Sequence, residues 1–365
     1  MEYEVLRQFI NEGILYIDKE NYELLKSRYT KEDIVETLTA LITCGEVKFP
    51  LAEINYDDVI VTQKKLMKLE TSIKKGNLYS RYEKTFGNYY FDESSSYNLV
   101  SNYFHQKERM NVAGPRYLAP TKLWKKFSSV KSIIRGILNS SETSINPAVL
   151  RSFISKRSYV ASQFKPSVAK AIYDYFEGEN IIDLCAGWGD RLAGFYASKK
   201  GKSYFGIDPN TTITNNYKRQ IECYETICHK EAEVICGCAE DDSVVYPKSD
   251  LIFTSPPYFN TERYSEDSTQ SYIKYQKLQI WLESFLFKSI KKSFDSLCKS
   301  GHLILNISDV YSDGQILSIC EPMIKYAEEL GFKHVDTFGM RMTKRMNSTI
   351  EGTGIFCEPI YIFEK

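Results

Sequence analysis

The residue types best suited to chemistry lie in the short segment Thr254-Ser255-Pro256-Pro257-Tyr258. Two adjacent prolines have fixed φ angles and no backbone N–H, so they form a rigid rim whose carbonyls serve only as hydrogen-bond acceptors. Such acceptors, with the Ser255 hydroxyl beside them, can hold both N–H bonds of an exocyclic amine on a nucleobase, while the Tyr258 ring stacks on the base. The segment therefore predicts a site for an amino group on an aromatic base.

A second pattern, Asp183-Leu184-Cys185-Ala186-Gly187-Trp188-Gly189, follows a short apolar run and is typical of a ligand-binding turn between a strand and a helix. Asp208 ends the next predicted strand, 25 residues after Asp183, where it can accept hydrogen bonds from ribose hydroxyls. A dinucleotide site would have a third glycine where this chain has Leu192. The pattern therefore favours an adenosine-containing cofactor without a pyrophosphate.

A third acidic group follows the next predicted strand, in Cys238-Ala239-Glu240-Asp241. A carboxylate at this place can accept a hydrogen bond from the amino group of adenine, and we assign that contact to Glu240. The alternative for Glu240 and Asp241 is an ordinary solvated loop.

The strands and helices that must position these motifs are predicted from a repeating sequence pattern that begins near residue 158. Short apolar runs rich in β-formers alternate there with helical stretches, which is typical of a parallel sheet built from βα units. We expect a doubly wound α/β domain of about 205 residues with the motifs at the carboxyl ends of its strands. The predicted strands are 180–184, 203–208, 233–236, 250–254, 301–306, 333–338 and 354–363.

The chain before this domain is expected to be mainly helical over its first hundred residues and loop-rich over about 74–120. Thr30 and Asp33 form a capping-box pattern before a periodic apolar run, and Gly45 is placed to end that helix. We therefore divide the 365 residues into a mainly helical domain at 1–150 and a catalytic domain at 151–365.

The two motifs together resemble the S-adenosylmethionine-dependent DNA amino-methyltransferases, which make N6-methyladenine or N4-methylcytosine. The resemblance covers about residues 158–365, including Ser162-Gln163-Phe164-Lys165-Pro166, which is similar to the segment that closes over the cofactor, and 358–363, which is similar to the final strand. It implies a seven-stranded Rossmann-like class I methyltransferase domain. It also implies an S-adenosylmethionine site formed by Phe164, Asp183, Cys185, Ala186, Gly187, Gly189, Asp208, Ala239 and Glu240.

For the reaction, the resemblance implies methyl transfer to the exocyclic amine of adenine or cytosine in DNA, after the base has been flipped out of the duplex. The implied catalytic residues are Ser255, Pro256, Pro257 and Tyr258, with Phe259 as a further base contact. Direct in-line transfer needs no covalent enzyme intermediate and no metal. Methylation of carbon 5 of cytosine needs a nucleophilic thiol, typically in a Pro-Cys pair, and the sequence contains no such pair.

Several alternatives remain open at this point. The substrate can be RNA or a protein side-chain amide, because similar tetrapeptides serve there too. A third hypothesis is a non-catalytic nucleic-acid-binding subunit with a degenerate methyltransferase fold. The choice between adenine and cytosine, the recognition sequence, the oligomeric state and the existence of a cognate restriction nuclease are not determined by the sequence.

The charge of the chain is unevenly distributed although its total is zero, with 47 basic and 47 acidic residues. Residues 1–62 contain 6 basic and 13 acidic residues, whereas residues 101–170 contain 13 basic and 2 acidic residues. A net charge of +11 with interleaved aromatic residues favours contact with nucleic-acid phosphates and bases. The predicted nucleic-acid contacts are Lys122, Lys125 and Lys126 and, in a loop near the C-terminus, Arg341, Lys344 and Arg345.

The remaining composition favours a soluble, cytoplasmic protein. The sequence has no apolar run long enough to span a membrane and no pattern of a signal peptide at its start. Its nine cysteines lack a framework spacing, so we expect reduced thiols. A zinc site around Cys223 and Cys238 does not follow the usual spacing, and we predict no metal.

Overall fold

The structure is a computed structural model that describes residues 1–92, 94–261, 263–312, 314–343 and 352–365. It divides into two compact units, each built from two stretches of the chain. Unit 1 comprises Met1–Glu53 and Gln106–Ala161, and unit 2 comprises Ile54–His105 and Ser162–Lys365. This division differs from the predicted boundary at residue 150, because residues 54–105 pack with the C-terminal sheet and residues 151–161 pack with the N-terminal helices.

Unit 1 is mainly helical, as expected for the start of the chain. Helix Lys31–Thr43 begins with the predicted capping box: the Thr30 hydroxyl accepts from the Asp33 N–H, and the Asp33 carboxylate accepts from the Thr30 N–H. Its apolar face shares one core with helix Phe127–Leu138. The other helices are Tyr3–Arg7, Lys19–Arg28, Pro120–Trp124 and Pro147–Ser155, and a small hairpin pairs Ile10–Asn11 with Ile14–Leu15.

Unit 2 contains all seven predicted strands in one sheet, which confirms the predicted α/β fold. Five strands are parallel, in the spatial order Leu297–Asn306, Ser249–Thr254, Asn180–Asp183, Ser203–Asp208 and Glu231–Cys236. Strand Ile355–Glu364 is antiparallel to Leu297–Asn306, and strand Lys333–Arg341 is antiparallel to Ile355–Glu364. Because the five parallel strands run the same way, the ends that carry Asp183, Asp208 and Thr254 lie at one edge of the sheet.

The segment that we expected to be loop-rich extends this sheet to ten strands. Strand Tyr89–Phe91 pairs with Lys333–Arg341, strand Lys74–Lys75 pairs with Tyr89–Phe91, and strand Leu78–Tyr79 pairs with Ile355–Glu364. These strands are two or three residues long, which is too short to show an alternating apolar pattern in the sequence. The edge of the sheet supplies the hydrogen-bond partners that such short segments need.

Helices alternate with the strands along unit 2, as the sequence pattern predicts. They are Tyr56–Lys68, Leu99–Arg109, Pro166–Phe176, Asp190–Ala197, Thr214–Glu225, Ser271–Lys274, Leu278–Trp281, Lys288–Ser296 and Cys320–Leu330. A π-helical stretch, Leu282–Phe287, joins two of them, and short 3-10 turns lie at Ser95–Tyr97 and Thr211–Ile213. A separate hairpin pairs Val310–Ser312 with Gln315–Leu317. The core beside the edge that carries Asp183, Asp208 and Thr254 is formed mainly by strand residues and by Trp281 and its neighbours.

Candidate active site

The glycine turn, residues 185–190, connects strand Asn180–Asp183 to helix Asp190–Ala197. Gly187 and Gly189 have φ angles of 61° and 71°, in the left-handed region that glycine adopts most readily. A Cβ atom on Gly187 would meet only the Cys185 carbonyl, at 3.7 Å, so this glycine leaves space on the side of the cavity. A Cβ atom on Gly189 would overlap the side-chain amide of Gln220. Gly187 thus leaves space for a ligand, whereas Gly189 leaves space for the Gln220 side chain.

Asp183 is completely buried and does not line the cavity formed by the described residues, which corrects the expectation of a direct cofactor contact. Its carboxylate accepts hydrogen bonds from Arg191 Nε at 2.8 Å, from Arg191 Nη2 at 3.1 Å and from the Tyr204 hydroxyl at 2.7 Å. A buried carboxylate needs such a cation and donors to remain ionised. Burial lowers the pKa of Arg191, but the charge of Asp183 outweighs it and raises that pKa above its ordinary value.

Asp208 lies at the end of the neighbouring strand and lines the cavity. Its two carboxylate oxygens accept from the backbone N–H groups of Gly187, at 2.8 Å, and Asn210, at 2.9 Å. Burial raises the pKa of Asp208 from 3.8 to about 6, although the two N–H donors act in the opposite direction. The carboxylate therefore fixes the glycine turn and keeps free lone pairs for hydroxyl groups of a ligand.

The third strand contributes Cys238, Ala239 and Glu240 to the cavity wall, as the sequence pattern predicts. The Glu240 side chain is buried and accepts from Lys274 Nζ at 2.5 Å and from the Tyr275 hydroxyl at 3.1 Å. Burial lowers the pKa of Lys274, but the bond to Glu240 outweighs it and raises that pKa above its usual range. Glu240 is thus a buried acid at the cavity, which excludes the solvated-loop alternative for this residue.

The proline tetrapeptide, Ser255-Pro256-Pro257-Tyr258, follows strand Ser249–Thr254 directly, and all four residues line the cavity. The Tyr258 hydroxyl donates to the Asn306 backbone carbonyl, at 3.2 Å, and lies 3.4 Å from Asn306 Oδ1. The Asn306 side-chain amide donates to the Pro359 carbonyl at 2.9 Å. Within the described residues, neither the Ser255 hydroxyl nor the Pro256 carbonyl has a hydrogen-bond partner. These two groups are therefore available to a substrate.

Phe259 does not occupy the predicted position of a base contact. It has a φ of 54°, and its N–H donates to the Pro257 carbonyl at 3.0 Å, so the chain turns sharply after the tetrapeptide. The ring is 5% exposed and packs edge-on against Trp281, with 6.0 Å between the ring centroids. An apolar ring placed by this turn gains more from burial in the core than from a position at the cavity mouth.

The glycine turn and the proline tetrapeptide line one cavity of about 250 Å³. Phe164 closes another part of its wall, where it packs against Phe253 and lies under the guanidinium of Arg191 at 5.6 Å. Among the predicted cofactor residues, Phe164, Cys185, Gly187, Asp208, Ala239 and Glu240 line the cavity, whereas Asp183, Ala186 and Gly189 do not. Burial raises the pKa of the Cys185 thiol, so this cysteine remains neutral in the cavity wall.

Several residues that line the cavity were not predicted from the sequence. Arg191 lies at the start of helix Asp190–Ala197, and Asn306 is the last residue of strand Leu297–Asn306. Their positions at the ends of these elements are the one sequence signal that could have indicated them. Trp188 also lines the cavity and contacts Tyr264, with 5.1 Å between the ring centroids. Tyr264 belongs to the loop after the tetrapeptide, and no local pattern indicates where such a loop returns.

The predicted nucleic-acid contacts are placed as follows. Lys122, Lys125 and Lys126 are exposed on unit 1. Arg341 is half exposed in unit 2 and pairs with Asp92 at 2.8 Å. Lys344 and Arg345 lie outside the described residues. Part of the basic segment is neutralised within unit 1, because Glu32 pairs with Lys131 and Arg135, and Glu36 pairs with Lys131.

Two features are absent from the described part of the chain. There, no group of three or more histidine, cysteine or acidic side chains is arranged to hold a metal ion. None of its helices combines the length and apolar character that crossing a membrane requires.

Comparison with known protein families gives one match, which covers part of the chain. Residues 249–365 match the family model of the N6/N4 type described as DNA methylase. The matched range begins after the glycine turn and includes the proline tetrapeptide and Asn306. No curated protein sequence matches the chain.

Solved structures similar to this chain include three methyltransferases. A methyltransferase from Pyrococcus furiosus is 16% identical and covers 55% of this chain and 82% of its own, with a TM-score of 0.34. An S-adenosylmethionine-dependent methyltransferase from Clostridium acetobutylicum is 14% identical, with coverages of 55% and 89% and a TM-score of 0.34. An rRNA methylase from Streptococcus thermophilus is 14% identical, with coverages of 56% and 99% and a TM-score of 0.35.

The sheet order and the shared cavity agree with the fold and the cofactor site expected of an S-adenosylmethionine-dependent methyltransferase. Over residues 249–365 the predicted resemblance to the DNA amino-methyltransferases is confirmed by the family match. The residues present also fit the predicted cofactor: Gly187 leaves room for a ligand, and the Asp208 carboxylate faces the same space.

Proposed function

We propose that this chain transfers a methyl group from S-adenosylmethionine to the exocyclic amine of adenine or cytosine in DNA. The observation that carries the proposal is the single cavity lined by both the glycine turn and the proline tetrapeptide. A cofactor at the turn and an amine at the tetrapeptide would share one enclosed space, which is the requirement for direct transfer between them. The family match over residues 249–365 favours DNA as the substrate.

The residues of the chain have distinct tasks in this reaction. S-adenosylmethionine, when bound, supplies a methyl group on a positively charged sulfur. The Ser255 hydroxyl and the Pro256 carbonyl, which have no partner among the described residues, accept the two N–H bonds of the amine. This arrangement directs the nitrogen lone pair away from the aromatic ring and toward the methyl carbon. Tyr258, anchored on Asn306, stacks on the base.

The reaction is a displacement in which atoms and electrons balance. A nitrogen–carbon bond forms while the carbon–sulfur bond breaks, the electron pair of the broken bond stays on sulfur, and one proton of the amine leaves to water. No group of the protein bonds covalently to the base. The neutral Cys185 thiol agrees with this, because a nucleophilic cysteine acts as the thiolate.

The base must leave the duplex to enter a cavity of this kind. The exposed lysines 122, 125 and 126 of unit 1 supply positive charge for phosphate contacts, which carry no sequence information but contribute much of the affinity. We therefore propose that the base is flipped out of the duplex and that these lysines contact the DNA phosphates.

The test compares methyl transfer from labelled S-adenosylmethionine to duplex DNA, to single-stranded DNA, to RNA and to protein in one assay. We expect label in DNA, and digestion to nucleosides with mass spectrometry to identify N6-methyladenine or N4-methylcytosine. A variant with alanine at all four tetrapeptide positions should lose transfer but still bind the cofactor in calorimetry.

Each other outcome has a defined meaning. Label in RNA or protein alone would replace DNA as the substrate. Binding of nucleic acid without binding of S-adenosylmethionine would favour a non-catalytic subunit. Unchanged transfer by the four-alanine variant would overturn the assignment of the tetrapeptide.

A further inference from the structure

Helix Leu99–Arg109 lies in the segment that joins the sheet from the N-terminal half of the chain, and it reaches the glycine turn through polar side chains. In unit 2 its buried residues are Val100, Ser101, Phe104 and His105. Ser101 and His105 are at most 1% exposed, which is unusual for polar residues without bonding partners. Both find those partners at the glycine turn or directly behind it.

The hydrogen bonds of His105 have only one consistent arrangement. The Tyr224 hydroxyl donates to the Val100 carbonyl at 3.0 Å, so it accepts from Gln220 Nε2 at 3.1 Å. Gln220 Nε2 also donates to the Gly189 carbonyl at 2.8 Å. Its amide oxygen therefore faces His105 and accepts from His105 Nε2–H at 3.0 Å. A continuous chain of bonds thus runs from His105 to Gly189.

Two further groups hold the same turn. The Ser101 hydroxyl donates to Asp190 Oδ1, which also accepts from Gln163 Nε2 at 3.0 Å. The Tyr217 hydroxyl donates to the Gly187 carbonyl, and the Tyr217 ring lies 5.0 Å from the His105 ring. The carbonyls of Gly187 and Gly189 and the carboxylate of Asp190 are therefore each held by a buried side chain.

We infer that Ser101 and His105 are positioning residues for the cofactor: the helix that carries them fixes the glycine turn in the conformation that binds S-adenosylmethionine. The inference rests on the proposed function, which places the cofactor at this turn. Gly189 has no side chain because Gln220 occupies that space, and Gln220 is in turn oriented by His105. An unfixed turn would have to be ordered when the ligand binds, which lowers affinity.

The experiment uses the full chain and four variants. His105→Leu removes the donor, His105→Gln keeps a donor near the same place, and Ser101→Ala removes the bond to Asp190. The control is Gln63→Leu, which loses a buried bond of the same kind, from Gln63 Nε2 to the Ala193 carbonyl at 3.0 Å, on the helix that follows the turn but away from the turn itself.

Three quantities are measured: the Kd for S-adenosylmethionine by calorimetry, kcat at saturating cofactor, and amide hydrogen exchange of the glycine turn, residues 185–190. His105→Leu and Ser101→Ala should raise Kd roughly five- to tenfold and accelerate exchange in this turn, the loss expected for one buried hydrogen bond. The kcat at saturation should change by less than about twofold, because the turn is ordered once the ligand is bound. His105→Gln should stay within about threefold of the wild-type Kd.

Gln63→Leu separates positioning from general stability. It should lower the melting temperature as His105→Leu does, with wild-type Kd and wild-type exchange at the turn. An equal rise of Kd in Gln63→Leu, or no rescue by His105→Gln, would overturn the inference. Where His105→Leu fails to fold, Ser101→Ala carries the same expectations.

The inference and the proposed function fail in different ways. Absence of cofactor binding by the wild-type chain would overturn the proposed function and, with it, the cofactor half of the inference. Normal cofactor binding with unchanged exchange and unchanged Kd in His105→Leu and Ser101→Ala would overturn the inference alone.

Discussion

Asp208 combines two requirements that oppose each other at the scale of a single residue. Its carboxylate is buried, which favours the neutral acid and raises its pKa to about 6. The same carboxylate must be ionised to accept from the Gly187 N–H and from a ligand hydroxyl at the same time. The two backbone N–H donors partly offset the burial, whereas the negative charge of nearby Asp183 raises the pKa further and Arg191 offsets only part of that effect. Function and stability therefore conflict at this residue.

We predict that Asp208→Asn weakens cofactor binding and that its stability relative to the wild type improves as pH rises. The Asn side chain has one acceptor oxygen where Asp208 accepts from two backbone N–H groups, so the variant loses about 1 to 3 kcal/mol at any pH. The native-state pKa of the wild type lies above 3.8, so the wild type loses about 3 kcal/mol of stability as pH rises from 3.8 through about 6, and the variant does not. Urea unfolding at pH 4 and pH 8 tests this: the deficit of the variant should be smaller at pH 8 than at pH 4. A variant less stable at pH 8 than at pH 4, relative to wild type, would contradict it.

His105 should show the opposite pH dependence. Burial lowers its pKa from 6.5 to about 4, because a second proton would occupy Nδ1, which is buried and has no hydrogen-bond partner among the described residues. Of the charged groups around it, Arg219 also disfavours the imidazolium. The wild type should lose about 3 kcal/mol of stability as pH falls from about 6.5 to 4, and His105→Gln should not. Equal acid sensitivity of both proteins in urea unfolding would count against the buried neutral imidazole.

Tyr258 offers a matched pair of substitutions that separates its ring from its hydroxyl. Tyr258→Phe removes the bond to Asn306 but keeps the stacking face, so kcat/KM should fall less than about tenfold. Tyr258→Ala removes the face as well and should lower kcat/KM by on the order of a hundredfold. Steady-state kinetics of methyl transfer to unmethylated DNA measure both values. Equal loss in the two variants would show that the ring does not stack on the base.

At the scale of elements, the glycine turn depends on four separate pieces of the chain. Strand Asn180–Asp183 delivers it to the edge of the sheet, and strand Ser203–Asp208 binds it through Asp208. Helix Thr214–Glu225 supports it from behind with Tyr217 and Gln220, and helix Leu99–Arg109 orients that support. One side of the turn therefore faces the cavity, and the other side is packed against protein.

This two-sided arrangement predicts different effects for alanine at the two glycines. Gly187→Ala should fold with a loss of about 1 kcal/mol from backbone strain, because its Cβ meets no atom closer than 3.7 Å, but the methyl group should block the cofactor. Gly189→Ala should cost about 2 to 4 kcal/mol, because strain is added to overlap with the buried Gln220 amide. Urea unfolding and cofactor calorimetry distinguish the two. Greater destabilisation by Gly187→Ala would contradict this packing.

At the scale of the whole molecule, the zero net charge conceals surfaces of different character. Within unit 1, Glu32 and Glu36 neutralise Lys131 and Arg135, so the segment with a net charge of +11 is less basic in the structure than in the sequence. Lysines 122, 125 and 126 are exposed and lie close together along the chain. We expect phosphate contacts at these three lysines, because exposed positive charges near one another attract the phosphate backbone.

Charge reversal of these three lysines to glutamate should weaken DNA binding and reduce its salt dependence. Each lost phosphate contact lowers the slope of log Kd against log salt by about 0.9, so the triple variant should lose up to about 2.7. The matched control reverses the three exposed lysines 64, 65 and 68 on helix Tyr56–Lys68. Titrations of DNA at several salt concentrations measure the slopes. Equal effects of both triple variants would assign no specific role to lysines 122, 125 and 126.

The sequence by itself determined the features that depend on neighbours along the chain. The seven strands are recognisable because apolar runs of the right length recur between helical stretches. Asp208 ends one such strand, the proline tetrapeptide directly follows another and Glu240 lies in the loop after a third, so placing the strand ends also placed these residues at the cavity. The capping box at Thr30 is local in the same sense.

Only the tertiary structure decided the features that depend on contacts between distant residues. Asp183 is in the predicted position, but Arg191 and Tyr204 turn it from a ligand contact into a buried ion pair. Phe259 is aromatic and adjacent to the tetrapeptide, yet its ring is buried in the core against Trp281. His105 and Gln220 are 115 residues apart and reveal their role only when the helices meet. Burial decides each case, and burial is a property of the folded chain rather than of its local pattern.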